Sequence, residues 1–186
     1  MNNDLMFSSK KDDWGTPQDL FDRLDKLYGF TLDAAANHEN AKCNSYYTQS
    51  GFFQKQNGAE GGKWIHANIN GLTGQWNLGG KLTFGGGWTW CNPPYGREVG
   101  KWVAKAWHEM KTGNSSVLLL PARTDTRYFH GYIWDALSRG PRHGVSVDFL
   151  KGRLKFEGAV NQKTGKADPA PFPSMLVEFS SYDYKR

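Results

Sequence analysis

Leu20, Phe21, Leu24, Leu27 and Tyr28 recur at helical spacing and are followed by Gly29. This pattern predicts an amphipathic helix that stops at the glycine. Thr16 suits its N-cap and Pro17 its first helical position. Residues 30–33 (Phe-Thr-Leu-Asp) then predict a short buried strand running into a small-residue loop, Ala34-Ala35-Ala36-Asn37. From Asn37 to Gly87 the periodicity is lost: the stretch is polar, glycine-rich and dotted with aromatics, with room only for short hairpins around 63–67 and 82–84. An apolar, aromatic run (Trp88, Trp90, Cys91) predicts the next strand, and Val99, Trp102, Val103, Ala106 and Trp107 predict a helix over 99–111, ended by Gly113. Residues 116–120 predict a central buried strand stopped by Pro121. A helix is expected over 127–137 and strands over 145–150, 153–156 and 174–179, the last two separated by a Gly/Pro/Lys-rich loop at 158–171.

Helices and strands in this order predict an α/β fold with a largely parallel sheet and a terminal antiparallel hairpin. Residues 14–186 are expected to form one domain, with 1–13 a disordered tail and 52–87 a glycine- and aromatic-rich insert. Asp33 and Asn92 would then both leave strand C-termini on one edge, the crevice in which such sheets bind ligands. Asp33 is equally suited to capping the turn that follows it. There is no GxGxxG, so a dinucleotide cradle is not supported.

Composition narrows the field. The 186 residues are enough to bury a sizeable core, and a mean hydropathy of -0.67 fits a soluble surface. No apolar run approaches a membrane span and residues 1–11 carry no signal-peptide pattern, so a cytoplasmic location is expected. Cys43 and Cys91 lack metal-type or redox-type spacing and are expected as reduced thiols. A net charge of +5 favours a polyanionic partner modestly. His38, His66, His108, His130 and His143 are scattered without ligand spacing, and no metal is expected.

The most informative chemistry is Asn92-Pro93-Pro94-Tyr95. An amino group on an aromatic ring is a poor nucleophile because its lone pair is delocalised. A pair of acceptors that draws it out of the ring plane makes group transfer onto it feasible. The Asn92 amide oxygen offers one acceptor. The Pro93 carbonyl offers the other, since Pro94 restricts Pro93 to an extended conformation. Tyr95 offers a face for a planar base. The plain alternative is a Pro-Pro turn that closes a strand.

Thr16-Pro17 before a helix, Leu32-Asp33-Ala34-Ala35-Ala36, Trp-Cys-Asn-Pro-Pro-Tyr-Gly at 90–96, Leu-Pro-Ala-Arg-Thr-Asp-Thr at 120–126, Gly-Arg-Leu-Lys-Phe at 152–156 and Pro171-Phe172-Pro173-Ser174 occur in that order. Together they resemble the phage-type Dam family of DNA N-6-adenine methyltransferases, over most of 16–179. The resemblance implies a Rossmann-like methyltransferase fold with S-adenosylmethionine as methyl donor. It implies methyl transfer to the 6-amino group of an adenine flipped out of double-stranded DNA, in a bacterial host cell if a phage encodes the chain. It places Thr16, Pro17, Asp33, Ala34, Ala35 and Asn92 at the cofactor and Asn92, Pro93, Pro94 and Tyr95 at the chemistry. Of the basic residues on either side of the motif (Lys101, Lys105, Arg123, Arg127, Lys151, Arg153 and Lys155), Arg123, Lys151 and Arg153 are the expected DNA contacts.

Two features depart from the family pattern. The stretch 52–87 is longer than expected, as a target-recognition insert or as a flexible loop. Asn68-Ile69-Asn70-Gly71-Leu72 stands where an acidic residue is expected before the leucine, which leaves the adenosine end of the cofactor unassigned. The same motif chemistry also serves methylation of RNA adenine or of a protein glutamine. A catalytically silent DNA-binding relative is the alternative of a different class.

Overall fold

The computed structural model describes residues 14–56, 61–76, 87–158 and 168–181. The expected tail at 1–13 and the expected hairpin around 82–84 lie outside the described residues. The strands are β1 (Phe30–Asp33), β2 (Ser45–Tyr47), β3 (Gly51–Lys55), β4 (Gly62–Ala67), β5 (Trp88–Cys91), β6 (Ser116–Pro121), β7 (Trp134–Asp135), β8 (Gly140–Pro141), β9 (Val145–Phe149) and β10 (Ser174–Phe179). The helices are α1 (Gln18–Tyr28) and α2 (Val99–Thr112), with a short π-helix at Phe129–Ile133.

Eight strands form one sheet in the order β4-β3-β2-β1-β5-β6-β10-β9, and β7 and β8 form a separate antiparallel pair. The four central strands β2, β1, β5 and β6 run parallel. Antiparallel pairings extend the sheet at both ends, β3 and β4 on one side and β10 and β9 on the other. The sheet is therefore mixed, with a parallel centre and, at one end, the expected terminal antiparallel pairing of β9 with β10.

Strand alternation divides the core between two faces. Val117 and Leu119 of β6 pack with Trp90 and with Leu20, Phe21 and Leu24 of α1. Leu118 and Leu120 pack with Leu32, Cys91, Val177 and with Val103, Ala106 and Met110 of α2. Each such side chain taken fully out of water contributes about 1.5–3 kcal/mol, so the β5–β6 centre is fixed from both sides. Leu27 departs from the expected apolar face and is 77% exposed.

α1 begins one residue later than expected. Pro17 is its N-cap, no side chain caps it, and the Pro17 carbonyl accepts from Leu20 and Phe21 N–H. Thr16 is thereby released for another contact. Gly29 ends the helix in the left-handed conformation, as a C-terminal glycine does, and Asp25 Oδ1 accepts from Phe30 N–H at 2.7 Å to start β1.

Three further expectations are corrected. The helix expected over 127–137 gives way to the π-helix, then to the β7–β8 turn. Residues 153–156 form no strand; the terminal antiparallel pair is β9 with β10, and β10 is paired on both edges, by β6 and β9. Much of the stretch expected to be irregular is ordered: β2, β3 and β4 pair through Tyr46 with Phe53 and Phe53 with Trp64. Aromatic packing across these strands supplies the order that hydrophobic alternation did not announce.

Candidate active site

Asp33 ends β1 and Asn92 follows β5, and these strands are hydrogen-bonded neighbours with Asp33 in register with Trp90. Ala34 N–H donates to the Trp90 carbonyl at 2.9 Å, which ties the two exits together. Thr16, Pro17, Asp33, Ala34, Ala35 and the Asn92 motif therefore meet around one end of the parallel strands.

Asn92 is held from three directions. Its Nδ2 donates to Thr16 Oγ1 at 3.0 Å and to the Trp14 carbonyl. Its Oδ1 accepts from the Tyr95 hydroxyl at 2.7 Å. Burial holds the Tyr95 phenol well above its usual titration range, with Cys91 and Tyr128 adding to the shift. That hydroxyl stays protonated and remains a donor, so it orients the amide with Oδ1 toward itself. A carbonyl-type oxygen has two lone pairs, so Oδ1 keeps one acceptor direction for a substrate N–H. Pro93 is buried and Pro94 exposed, and no backbone N–H among the described residues donates to the Pro93 carbonyl. Two acceptors are thus present at the motif.

Tyr95 itself lies differently from expectation. Its ring is 6% exposed and stands edge-on to Phe156 and Phe172, at 5.9 and 5.5 Å between centroids. Trp14 meets the same two phenylalanines. In this arrangement the hydroxyl reaches Asn92 and the ring is packed into the core.

Asp33 both closes its loop and carries a poised charge. Oδ1 accepts from Ala35 N–H at 3.3 Å and Oδ2 from Lys42 N–H at 3.1 Å. Burial raises its pKa from 3.8 to about 6, against the opposing pull of those N–H groups and of the Lys42 and Lys55 charges. The ionised form is disfavoured by roughly 3 kcal/mol. In the absence of ligand, stability from this group is fully present below pH 3.8 and is lost as pH rises through about 6. A cation bound beside Asp33 reverses this penalty.

The structure also brings residues to the site that sequence patterns did not single out. Lys42, its side chain 7% exposed, donates to Glu157 Oε2 at 2.9 Å and to Gln18 Oε1 at 2.8 Å. Glu157 N–H donates to the Gly15 carbonyl at 2.8 Å. These contacts knit the segments before α1, after β1 and after β9 into one rim. A lysine nine residues beyond Asp33 and a backbone carbonyl at Trp14 leave no sequence signature. The loop from Asn68 to Trp76 reaches the same end of the sheet. Gly71 lies so close to the Ala34 carbonyl that a Cβ there would stand 1.9 Å from it, and Trp76 Nε1 donates to the Gly71 carbonyl at 2.7 Å. The Asn70 side chain is used internally, accepting from Leu72 and Thr73 N–H.

Arg123, Lys151 and Arg153 are exposed, and none forms an ion pair among the described residues. Lys101 and Lys105 are instead paired along α2 with Glu98 and Glu109. Burial pushes both thiols, Cys43 and Cys91, upward, so neither is a ready nucleophile. His38 contacts the Tyr46 hydroxyl through Nδ1 at 2.7 Å and packs among Tyr46, Phe53 and Trp64. Among the described residues no group of three His, Cys, Asp or Glu side chains is placed to hold a metal, and no helix is long and apolar enough to cross a membrane.

A family model described as DNA N-6-adenine-methyltransferase (Dam) matches residues 5–63 and 50–186. A protein of Escherichia phage T1 named DNA N-6-adenine-methyltransferase is 31% identical over 120 residues, which are 64% of this chain. The matched part spans 40% of that relative's length.

Proposed function

The chain belongs to the DNA N-6-adenine-methyltransferase (Dam) family, and from that premise we propose that it methylates the 6-amino group of adenine in double-stranded DNA with S-adenosylmethionine as donor, on a Rossmann-like fold. The observation that carries this reading is the meeting of Asn92, Thr16 and Asp33 at the ends of β1 and β5.

The residues present fit the donor. A buried carboxylate at Asp33, pushed up to about 6 by desolvation, is suited to the ammonium of an amino-acid moiety. Ala34 and Ala35 add no bulk beside it, and Thr16 and Pro17 border the same end. Bound S-adenosylmethionine supplies a methyl group on a positively charged sulfur. Asn92 Oδ1 and the Pro93 carbonyl accept the two hydrogens of the target amino group and favour the form in which its lone pair leaves the ring plane. Their placement on a rigid strand end supplies orientation, and both stabilise the positive charge that develops on nitrogen. A base inside a duplex cannot reach Asn92, so the target nucleotide is flipped out of the stack.

Donor binding is expected to strengthen as pH rises through about 6, where Asp33 ionises. Asp33→Ala should weaken it by about 1.5–3 kcal/mol, as for a lost hydrogen bond to a charged group, and abolish that pH dependence. Calorimetry between pH 5 and 8 (roughly one unit and more either side of the transition) tests this. A wild-type affinity that is flat with pH contradicts the assignment.

DNA affinity is expected to fall with salt. Arg123→Ala and Arg153→Ala should each reduce the log–log slope by about 0.9 and weaken binding alike for all sequences, since phosphate contacts carry no base information. An unchanged slope removes that residue from the interface. The substrate class itself is tested by offering methyl-labelled donor to duplex DNA, RNA and protein in parallel. Label in DNA is expected; label in RNA or protein alone overturns the reading.

A further inference from the structure

The segment that leaves β9 alternates in exposure over residues 153–156, after three exposed residues at 151–153. Leu150 and Leu154 are half-buried and Phe156 is buried, all within the α1-side core that also holds Tyr95. Lys151, Arg153 and Lys155 point outward between them and are exposed. Phe156 touches the Tyr95 ring and Glu157 is bonded to Gly15 and Lys42. The cations are therefore carried on a segment anchored directly to the Asn92 site. At the start of this row stands Phe149, the last residue of β9 and 55% exposed. Single exposed apolar residues are ordinary. This one differs in leading into a segment that carries three exposed cations, which form no ion pair among the described residues.

Register places Phe149 at the same end of the sheet as Asn92. Phe149 pairs with Met175, Leu150 N–H donates to the Ser174 carbonyl, and Ser174 pairs with Pro121 at the C-terminal end of β6. β9 lies three strands from β5, which at about 4.8 Å per strand is a lateral offset of about 14 Å. An aromatic ring at that offset lies beside, and outside, the site that receives the target base.

We infer that Phe149 is a DNA-stacking wedge: its ring enters the duplex next to the target adenine while Lys151, Arg153 and Lys155 hold the flanking phosphates. The partner is duplex DNA because an exposed apolar ring leading into a row of unpaired cations matches a base stack bordered by phosphates. Apolar side chains inserted between base steps unstack and kink a duplex, which lowers the cost of flipping a nucleotide. The inference rests on the DNA methylation proposed above.

The test uses the full chain and a short duplex carrying the context that the wild type methylates, with the target adenine either paired or opposite an abasic site. Phe149→Ala is expected to lower kcat/KM on the paired duplex about tenfold or more, the scale of losing one base–aromatic stack. Most of the loss should disappear on the abasic duplex, where the adenine is unpaired and costs less to flip. Phe149→Trp keeps a ring and should behave as wild type. Leu137→Ala is the control, since Leu137 is 96% exposed on the β7–β8 turn, outside the 149–155 segment. Equal activity of Phe149→Ala and wild type on the paired duplex overturns the wedge alone. So does an equal loss on both duplexes, or a Trp variant as impaired as the Ala variant. A wild type that methylates no DNA overturns both this inference and the function it rests on.

Discussion

Asn92→Ala is expected to lower methyl transfer by about a hundredfold or more, the scale of losing one preorganised transition-state hydrogen bond, while changing donor affinity far less. The amide oxygen is needed most when charge develops on the target nitrogen, so its loss weighs on turnover. Some weakening of donor binding follows through Thr16, whose hydroxyl accepts from Asn92 Nδ2. Thr16→Ala separates the two roles: it removes one anchor of the amide and leaves the acceptor, and should cost clearly less turnover than Asn92→Ala. Single-turnover rates and donor calorimetry on the two variants provide the comparison. Equal effects of both substitutions on turnover would make Asn92 a scaffold residue.

Tyr95→Phe is the second large effect, and here the structure reverses the sequence-based expectation. A stacking role predicts that loss of the hydroxyl is mild. The observed hydroxyl instead donates to Asn92 Oδ1 and lies 3.2 Å from the Leu119 carbonyl. Removing it frees the amide to rotate, and a hydrogen bond of about 0.5–1.5 kcal/mol corresponds to a loss of turnover approaching tenfold. Tyr95→Ala should mainly unfold the protein, at about 3–5 kcal/mol for an emptied aromatic site between Phe156 and Phe172. The Phe variant is therefore the informative one, provided its thermal midpoint matches wild type. Full turnover in Tyr95→Phe would show that the hydroxyl does not position Asn92 for the reaction.

The parts of this architecture that sequence made legible are those with a local cause. α2 and β6 follow from periodicity and an unbroken apolar run, and Gly29 and Gly113 end their helices in left-handed conformations. Asp33 and Asn92 could be placed on one edge because both leave predicted strands. What escaped depends on distant partners. β2 and β3 are short strands held by aromatic pairing, so neither alternation nor length marks them, whereas β4 lies where a short hairpin around 63–67 is expected. Residues 153–156 alternate like a strand, yet the alternation serves to anchor a loop. Thr16 has the chemistry of an N-cap and spends its hydroxyl on Asn92, seventy-six residues away. Tyr95 looks like a platform in the tetrapeptide, and only the packing of Phe156 and Phe172 reveals that its ring is enclosed.

The most direct test of the central claim is single-molecule sequencing of DNA from cells expressing the wild-type chain or Asn92→Ala. The account predicts N6-methyladenine in a defined context with the wild type, and its loss in the variant. Unmodified DNA from cells expressing the folded wild-type chain, or a modification that persists in Asn92→Ala, would contradict it.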